Sequence, residues 1–390
     1  MLITSPELAF RLRGGSEAVD RVPTRRPAEE ATYPVTRSHY DFAVFGGGPA
    51  GSATALSLLA RGARVLVIER CLAHRDRMGE SLRGVARECL SELGVWEEFQ
   101  RLEQRPSHYH RAAWGGVLEE RHSIQLKYGP DLHLDRARFD ALLLQAAQAR
   151  GAEVLRPAIL DAIQAERIGV RIRVTHPRGA CDFSAARAVD ATGRRASVAR
   201  RLGAQRRDFD RLLGVARTFV RGACEPSTLV EAAEDGWWYS APQPKGRLVA
   251  LFVTDAESPA RAARREDVWQ RCLASAPLTR ERLQGLAALG GPASYFAAPG
   301  LLEWDEQGPI IPVGDALLSF DPISADGLCF ALRSGLEAAD VLTGTRGSAS
   351  AYRAGARAVF HAHLARRELI YARERPSRQG TFWRRPRAPG

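Results

Sequence analysis

Short apolar runs separated by one helical stretch organise the early part of this chain. Asp41–Phe45 (DFAVF) and Arg64–Glu69 (RVLVIE) have the length and composition of strands, and the residues between them carry apolar positions at helical spacing. Together they predict strand, turn, helix and strand, the start of a βαβ unit, with a further helix over Ser81–Gly94. From Ser107 to Tyr128 the pattern turns strand-like. Leu134–Arg150 returns to helical spacing and stops at Gly151, a suitable C-cap. Ala152–Gly193 reads as short strands with a turn at His176–Gly179. Further strands are expected at Leu213–Arg221, Trp237–Ala241, Arg247–Thr254 and Ile310–Val313, with helices near Arg264–Leu289, from about Gly327, and over 346–375. Residues 1–38 and the last fifteen lack sustained periodicity and predict loosely held ends.

The turn inside the first unit has its own chemistry. In Gly46-Gly47-Gly48-Pro49-Ala50-Gly51, Gly46 permits the tight exit from the strand and Gly48 lets backbone approach a pyrophosphate. Gly51 lets the helix lie close to the sheet, and the helix that begins at Pro49, itself without an N–H, offers free N–H groups from Ala50 onward and a positive dipole end. Glu69, eighteen residues after Gly51, stands where a carboxylate takes ribose hydroxyls. Far downstream, Ile310–Val313 runs into Gly314-Asp315, followed by Asp321-Pro322-Ile323-Ser324-Ala325-Asp326-Gly327. Asp315 at a strand end suits a polyol chain. The Pro322–Gly327 loop, with Ser324 and Gly327, presents backbone N–H groups at a second helix start, suited to a flavin ring or pyrophosphate. The pair of segments indicates FAD rather than a nicotinamide cofactor.

These motifs, with Arg136-Ala137-Arg138-Phe139-Asp140 and Asp190-Ala191-Thr192-Gly193, resemble the FAD-dependent aromatic hydroxylase superfamily, the para-hydroxybenzoate hydroxylase fold. Gly79-Glu80-Ser81-Leu82 and Gly236-Trp237-Trp238-Tyr239-Ser240-Ala241-Pro242 resemble a narrower branch, the flavin-dependent halogenases and the flavoproteins that hydroxylate a tryptophan of a partner protein to build a quinone cofactor. The resemblance implies an α/β fold: a Rossmann-like FAD-binding domain of discontinuous segments (39–104, 131–205 and 301–345), an inserted mixed or antiparallel β-sheet substrate domain (105–130 and 206–300), and a C-terminal helix with a basic tail (346–390) after a flexible arm (1–38). It further implies that Gly46, Gly48, Pro49, Ala50 and Gly51 hold the pyrophosphate, Glu69 the adenosine ribose, and Gly314 and Asp315 the ribityl chain. Pro322, Ser324 and Gly327 abut the isoalloxazine, Arg136 braces the cofactor from its helix, and Arg70, Glu80 and Ser81 are further cofactor contacts. Trp237, Trp238 and Tyr239 face flavin and substrate from a roofing strand, with Trp237 and Tyr239 on one face and Trp238 on the other.

Composition narrows the partners. The net charge of +11 is almost wholly arginine, since Lys127 and Lys245 are the only lysines. The arginines are scattered rather than gathered with aromatic platforms, which argues against nucleic acid and for an anionic substrate or acidic protein partner. No apolar run is long enough to span a membrane. The first thirty residues lack the apolar core of a secretory signal. Six cysteines at 71, 89, 181, 224, 272 and 329 show no C-x-x-C spacing and fit reduced thiols in the cytoplasm. The H-x-H pairs His108/His110 and His361/His363 have no acid or cysteine pattern around them, so no metal site is expected.

A second G-x-G-x-x-G is absent, so NAD(P)H docks transiently or an external donor supplies reduced flavin or electrons. With dioxygen, a reduced flavin gives a C4a-hydroperoxide, the cofactor carrying that hard step. The expected activity is hydroxylation of an electron-rich aromatic ring, a peptidyl tryptophan or a free indole-type molecule. Halogenation is the first alternative. Halogenases of the branch carry W-x-W-x-I-P, whereas Tyr239 and Ala241 stand at the second Trp and the Ile here. They also use a lysine soon after the first glycine motif, and none precedes Lys127. Double-bond reduction on a prenyl chain is the second alternative. It needs a long apolar tunnel, which the charged 210–300 block does not suggest.

Overall fold

The computed structural model describes residues 36–73, 78–123, 126–221, 225–374 and 380–385. Of the expected N-terminal arm only 36–38 fall within these. There, the Thr36 amide and hydroxyl bond the Glu153 carboxylate at 2.9 and 2.8 Å.

Five strands run parallel in the order Glu153–Leu155, Val65–Ile68, His39–Phe45, Gly179–Asp190 and Ile310–Pro312. Val65–Ile68 is buried throughout, as strands covered on both faces must be. Gly179–Asp190 changes partners along its length. Its first half pairs antiparallel with Val170–His176, which in turn pairs with Ile159–Ala165, and its second half joins the parallel set. Helices Pro49–Leu59 and Gly327–Thr343 pack closely because Gly335 leaves room: a Cβ there would stand 2.8 Å from the Ala50 carbonyl oxygen.

A second sheet of seven strands forms the roof, in the order Ala287–Phe296, Leu212–Val220, Arg247–Asp255, Gly236–Gln243, Ser227–Ala233, Tyr109–Trp114 and Val117–His122. Every pairing is antiparallel except Ser227–Ala233 with Tyr109–Trp114. Its two faces have different partners. Trp238, Phe252 and Val215 lie in one cluster with Trp269, Leu273 and Leu283 of helices Glu266–Ala274 and Pro277–Leu283. Trp237, Leu251, Val253 and Trp114 lie in another with Tyr371, Phe382 and Trp383 from the C-terminal elements. A small sheet of Ser81–Leu82, Asp131–Leu134 and Gln104–Ser107 brings the 79–82 loop against that second face.

Three expectations need correction. The helix near Arg264–Leu289 is two helices, broken before Pro277, and its last residues open the edge strand Ala287–Phe296. The helix over Ser81–Gly94 starts only at Ala86, because Ser81 and Leu82 are taken up by strand pairing with Asp131–Leu134. The last fifteen residues are not uniformly loose. Thr381–Arg384 is helical, Phe382 and Trp383 are buried, and the Trp383 indole N–H donates to the Ala233 carbonyl at 2.8 Å. The rest of the basic tail, 375–379 and 386–390, lies outside the described residues.

Candidate active site

The strand His39–Phe45 delivers the chain to Gly46, whose φ of +112° suits glycine. A Cβ there would sit 2.4 Å from the Ala191 carbonyl oxygen, so the D-A-T-G turn is the wall behind the cradle. Gly51 is as constrained, its Cβ position lying 1.9 Å from the Gly46 carbonyl oxygen. Gly48 is the opposite case. It is the N-cap of helix Pro49–Leu59, no side chain caps that first turn, and no atom lies within 4 Å of where its Cβ would be. The helix start therefore opens onto space with free N–H groups, the setting for a phosphate. Glu69 is buried at the end of the next strand. Its carboxylate accepts from the Gly47 amide at 2.7 Å and the Cys71 amide at 2.8 Å, which leaves lone pairs for a diol. Arg70, the next residue, is exposed.

The late segment converges on the same place. Val313 donates to the Asp190 carbonyl at 2.9 Å, and Gly314, with φ of +56°, has its Cβ position 2.7 Å from Ala50 Cβ. Asp190 is itself buried and accepts from the amides of Thr192, Val198 and Ala199, at 2.9, 3.0 and 2.7 Å. The Asp315 carboxylate is part-exposed, 3.4 Å from the Arg194 guanidinium. The Pro322–Ser324 turn is held from below. Asp321 accepts from the Ile323 amide at 3.0 Å and from the Tyr371 hydroxyl at 2.8 Å, while its own amide donates to His363 Nε2 at 3.1 Å. Burial pushes the His363 pKa down to about 4, so the ring stays neutral and can accept that bond. The Ser324 hydroxyl is spent locally, on the Asp321 carbonyl and the Asp326 amide, both at 3.3 Å. Gly327 opens the following helix with no atom within 4 Å of its Cβ position. Two open helix starts, a buried carboxylate and a part-exposed one fit a dinucleotide whose polyol and ring lie along the second segment.

The roof residues divide. The Trp237 indole is buried and donates to the Tyr371 hydroxyl at 2.9 Å, which continues to Asp321, so it ties the roof to the late loop. Trp238 is corrected: its ring packs edge-on against Trp269 at 4.7 Å and against Phe252 at 4.8 Å, on the face away from the loop. Tyr239 is the partly open member and shares its cluster with Met78, Tyr295 and Ile323 of the loop. Arg136 feels the charge of Asp315 but makes its hydrogen bonds within the fold. Its guanidinium grips Asp140 with two bonds of 3.0 Å and the carbonyls of Met78 and Gly79 at 3.2 and 2.9 Å, bracing the loop that carries Glu80 and Ser81. Ser81 and Glu80 both meet the Tyr239 hydroxyl, Ser81 at 2.8 Å. Among the described residues no group of three or more His, Cys, Asp or Glu is arranged to hold a metal.

Tyr371, His363 and His133 are site residues that motif reading missed, and Asp321 was read only as the head of the late motif. Of the three missed, only His363 carried a signal, as half of an H-x-H pair, and it is buried beneath the loop rather than on a helix surface.

A glycine cradle and a second helix start beside it, with the roof tied to the late loop through Trp237, Tyr371 and Asp321, define a flavoprotein. Residues 39–285 match the FAD binding domain family, and the chain belongs to it. It is an FAD-dependent oxidoreductase of the halogenase and hydroxylase type. It is 30% identical over 365 residues to the FAD-dependent oxidoreductase LodB of Marinomonas mediterranea, covering 90% of this chain and 97% of that one. Among solved structures it is similar in fold to the myxobacterial chondrochloren halogenase CndH (TM-score 0.78, 22% identity, 89% of this chain and 85% of that one). It is also similar to the peptidyl tryptophan dihydroxylase QhpG, which is essential for tryptophylquinone cofactor biogenesis (TM-score 0.70, 24% identity, 88% and 78%).

Proposed function

We propose that this flavoprotein hydroxylates an electron-rich aromatic ring, in first place a tryptophan side chain of a protein or peptide, with a free indole-type molecule as the alternative. In that reading the N–H groups at Gly48–Gly51 hold the FAD pyrophosphate, Glu69 the ribose and Asp315 the ribityl chain, and the Pro322–Gly327 backbone lies along the ring. Bound FAD, reduced by NAD(P)H or an external donor, supplies electrons to dioxygen for oxygen transfer. The chain's own task is to position the ring and keep water out, which Trp237, Tyr239, Tyr295, Met78 and Ile323 do as one apolar cluster beside the loop.

One observation carries hydroxylation over halogenation. Lysine holds the halogenating species in the resembling halogenases, and the two lysines here have neighbours of their own. The Lys245 ammonium is 2.7 Å from the Asp135 carboxylate, and Lys127 is exposed, its ammonium 4.8 Å from the Tyr128 ring. Two observations support a protein-borne target: the fold shared with a peptidyl tryptophan dihydroxylase and the +11 charge. Unpaired thiols at the five described cysteines support a cytoplasmic setting. Among the described residues no helix is long and apolar enough to cross a membrane.

The test is product mass. Holoenzyme with NADPH or chemically reduced flavin, dioxygen, chloride and bromide is offered N-acetyltryptophanamide and tryptophan-containing peptides. A gain of one or two oxygens is expected. A halogen isotope pattern, or a gain of hydrogens without oxygen, rejects the proposal.

A further inference from the structure

A line of polar side chains runs through the otherwise apolar contact between roof and loop. Glu80, 1% exposed, accepts from the Gly79 amide at 3.1 Å and is hydrogen-bonded to the Tyr239 hydroxyl. Tyr239 Oη is 2.8 Å from Ser81 Oγ, which is 3.2 Å from His133 Nδ1. His133 Nε2 is 3.1 Å from Thr228 Oγ1, and Thr228 Oγ1 is 2.8 Å from Ser107 Oγ. Ser107 in turn donates to the Tyr109 carbonyl at 3.2 Å. The 79–82 loop, the strands Gln104–Ser107 and Asp131–Leu134, and three roof strands each contribute, so distant parts of the chain meet to satisfy one network. Such networks are costly unless every member finds a partner. This one is open on the side of Tyr239 and Ser81 and closed at the other. Tyr239 and Ser81 are partly exposed, whereas Thr228 and Ser107 are buried. A chain closed at its far end can hold a proton for the cleft but does not conduct one to bulk water.

We propose that Tyr239 is the acid–base residue of the cleft, with Glu80 as the carboxylic acid that replaces its proton and the Ser81–His133 pair as the element that holds its hydroxyl in line. The inference rests on the hydroxylation reading. The step involves protons only. With FAD bound, the Tyr239 hydroxyl would supply the proton needed in the cleft, and Glu80 would return one to the Tyr239 oxygen, becoming a carboxylate. The proton released as the substituted ring carbon regains aromaticity returns by the same route, so one leaves and one arrives per oxygen inserted. Electrons come from the donor already required for the reaction.

The surroundings agree. Burial raises the Glu80 pKa above the usual carboxylate range, opposed by the Tyr239 hydroxyl, the Gly79 amide and the Arg136 charge. Burial and then Glu80 raise Tyr239 well above an ordinary phenol, so it enters the reaction with its proton on. Burial pushes His133 down to about 3, with His110 and Arg282 acting the same way, so it orients Ser81 while neutral. Arg136 and Arg282 are the cations facing this network. The first is held by Asp140 and the second donates to the Ser227 carbonyl at 2.5 Å. His110, 3.8 Å from Asp131, lies beyond His133.

Infrared spectra of the purified protein, with and without FAD, test this without any substrate. At neutral pH the wild type should show the carbonyl stretch of a protonated carboxylic acid, absent in Glu80→Gln and displaced in Tyr239→Phe. With N-acetyltryptophanamide and reduced flavin, Tyr239→Phe should lower oxygenated product per electron pair by about 100-fold, the scale of a lost acid–base group. Hydrogen peroxide should rise in its place, and the pH dependence of coupling should flatten. An ionised Glu80, or a band indifferent to Tyr239→Phe, overturns the relay whatever the enzyme does to an aromatic. If the wild type attaches halogen instead, the hydroxylation reading fails while the infrared result still decides the proton arrangement.

Discussion

The phosphate cradle and the roof solve opposite problems in the same molecule. The cradle is built from backbone and empty space: a wall behind Gly46 and Gly51 that admits no Cβ, and an opening in front of Gly48 with nothing within 4 Å. The roof is built from large side chains, and adjacent residues on one strand do unrelated work. Trp238 is sealed into a helix-backed core, Trp237 anchors the late loop through Tyr371, and Tyr239 stays partly open with its hydroxyl in a polar network. Ligand binding is thus expected to respond to what fills space in the cradle, and catalysis to which functional groups the roof presents.

The largest effect should come from the sealed face. Trp238→Ala removes the contacts to Trp269 and Phe252 and should destabilise the fold by about 3–5 kcal/mol, as buried aromatic truncations do. Chemical denaturation would show it. A loss below about 1 kcal/mol would mean the ring is not core and that the two faces are less distinct than described.

Tyr371→Phe comes next, because it cuts the link between roof and loop. It removes the hydroxyl that accepts from the Trp237 N–H and donates to the Asp321 carboxylate, a cost of about 1–3 kcal/mol. FAD affinity should fall with it, since Asp321 shapes the Pro322–Ser324 turn. Fluorescence titration of FAD would reveal this. Unchanged affinity with lowered stability would confine Tyr371 to packing.

How much of this was legible beforehand follows the same division. The cradle obeys local rules, so Gly46, Gly48, Gly51 and Glu69 could be assigned from spacing, and strand alternation placed Trp238 opposite Tyr239. The rest depends on tertiary partners. Ala287–Phe296 is a small-residue, glycine-containing segment that becomes a strand because Leu212–Val220 offers it an edge. Phe382 and Trp383 sit in a Pro/Arg-rich tail, and their burial comes from a pocket between roof strands and Tyr371. His133 and His363 look alike in sequence to any surface histidine, and only burial makes them neutral acceptors.

That burial predicts a pH dependence. An unfolded histidine takes a proton below pH 6.5, whereas native His363 and His133 resist it until about 4 and about 3. Their folded values are depressed, so the stability they contribute is complete above 6.5 and lost as pH falls from there. The slope is up to about 1.4 kcal/mol per pH unit for each. Denaturant midpoints between pH 7.5 and 5 should fall accordingly, and less steeply in His363→Gln, which keeps an acceptor without titrating. An identical slope in that variant would remove His363 from the account.

The smallest effect on the fold, and the sharpest on binding, belongs to Gly48→Ala. Its backbone is extended, with φ of −78°, and the added methyl meets no protein atom. The apo protein should melt within about 0.5 kcal/mol of wild type. With the pyrophosphate held at this helix start, as proposed, the methyl would stand in its way, and FAD titration followed by fluorescence should show affinity lost by at least about tenfold, about 1.4 kcal/mol. Wild-type FAD affinity in Gly48→Ala would mean the opening is not where the dinucleotide binds, and the convergence of the early and late segments would then have another purpose.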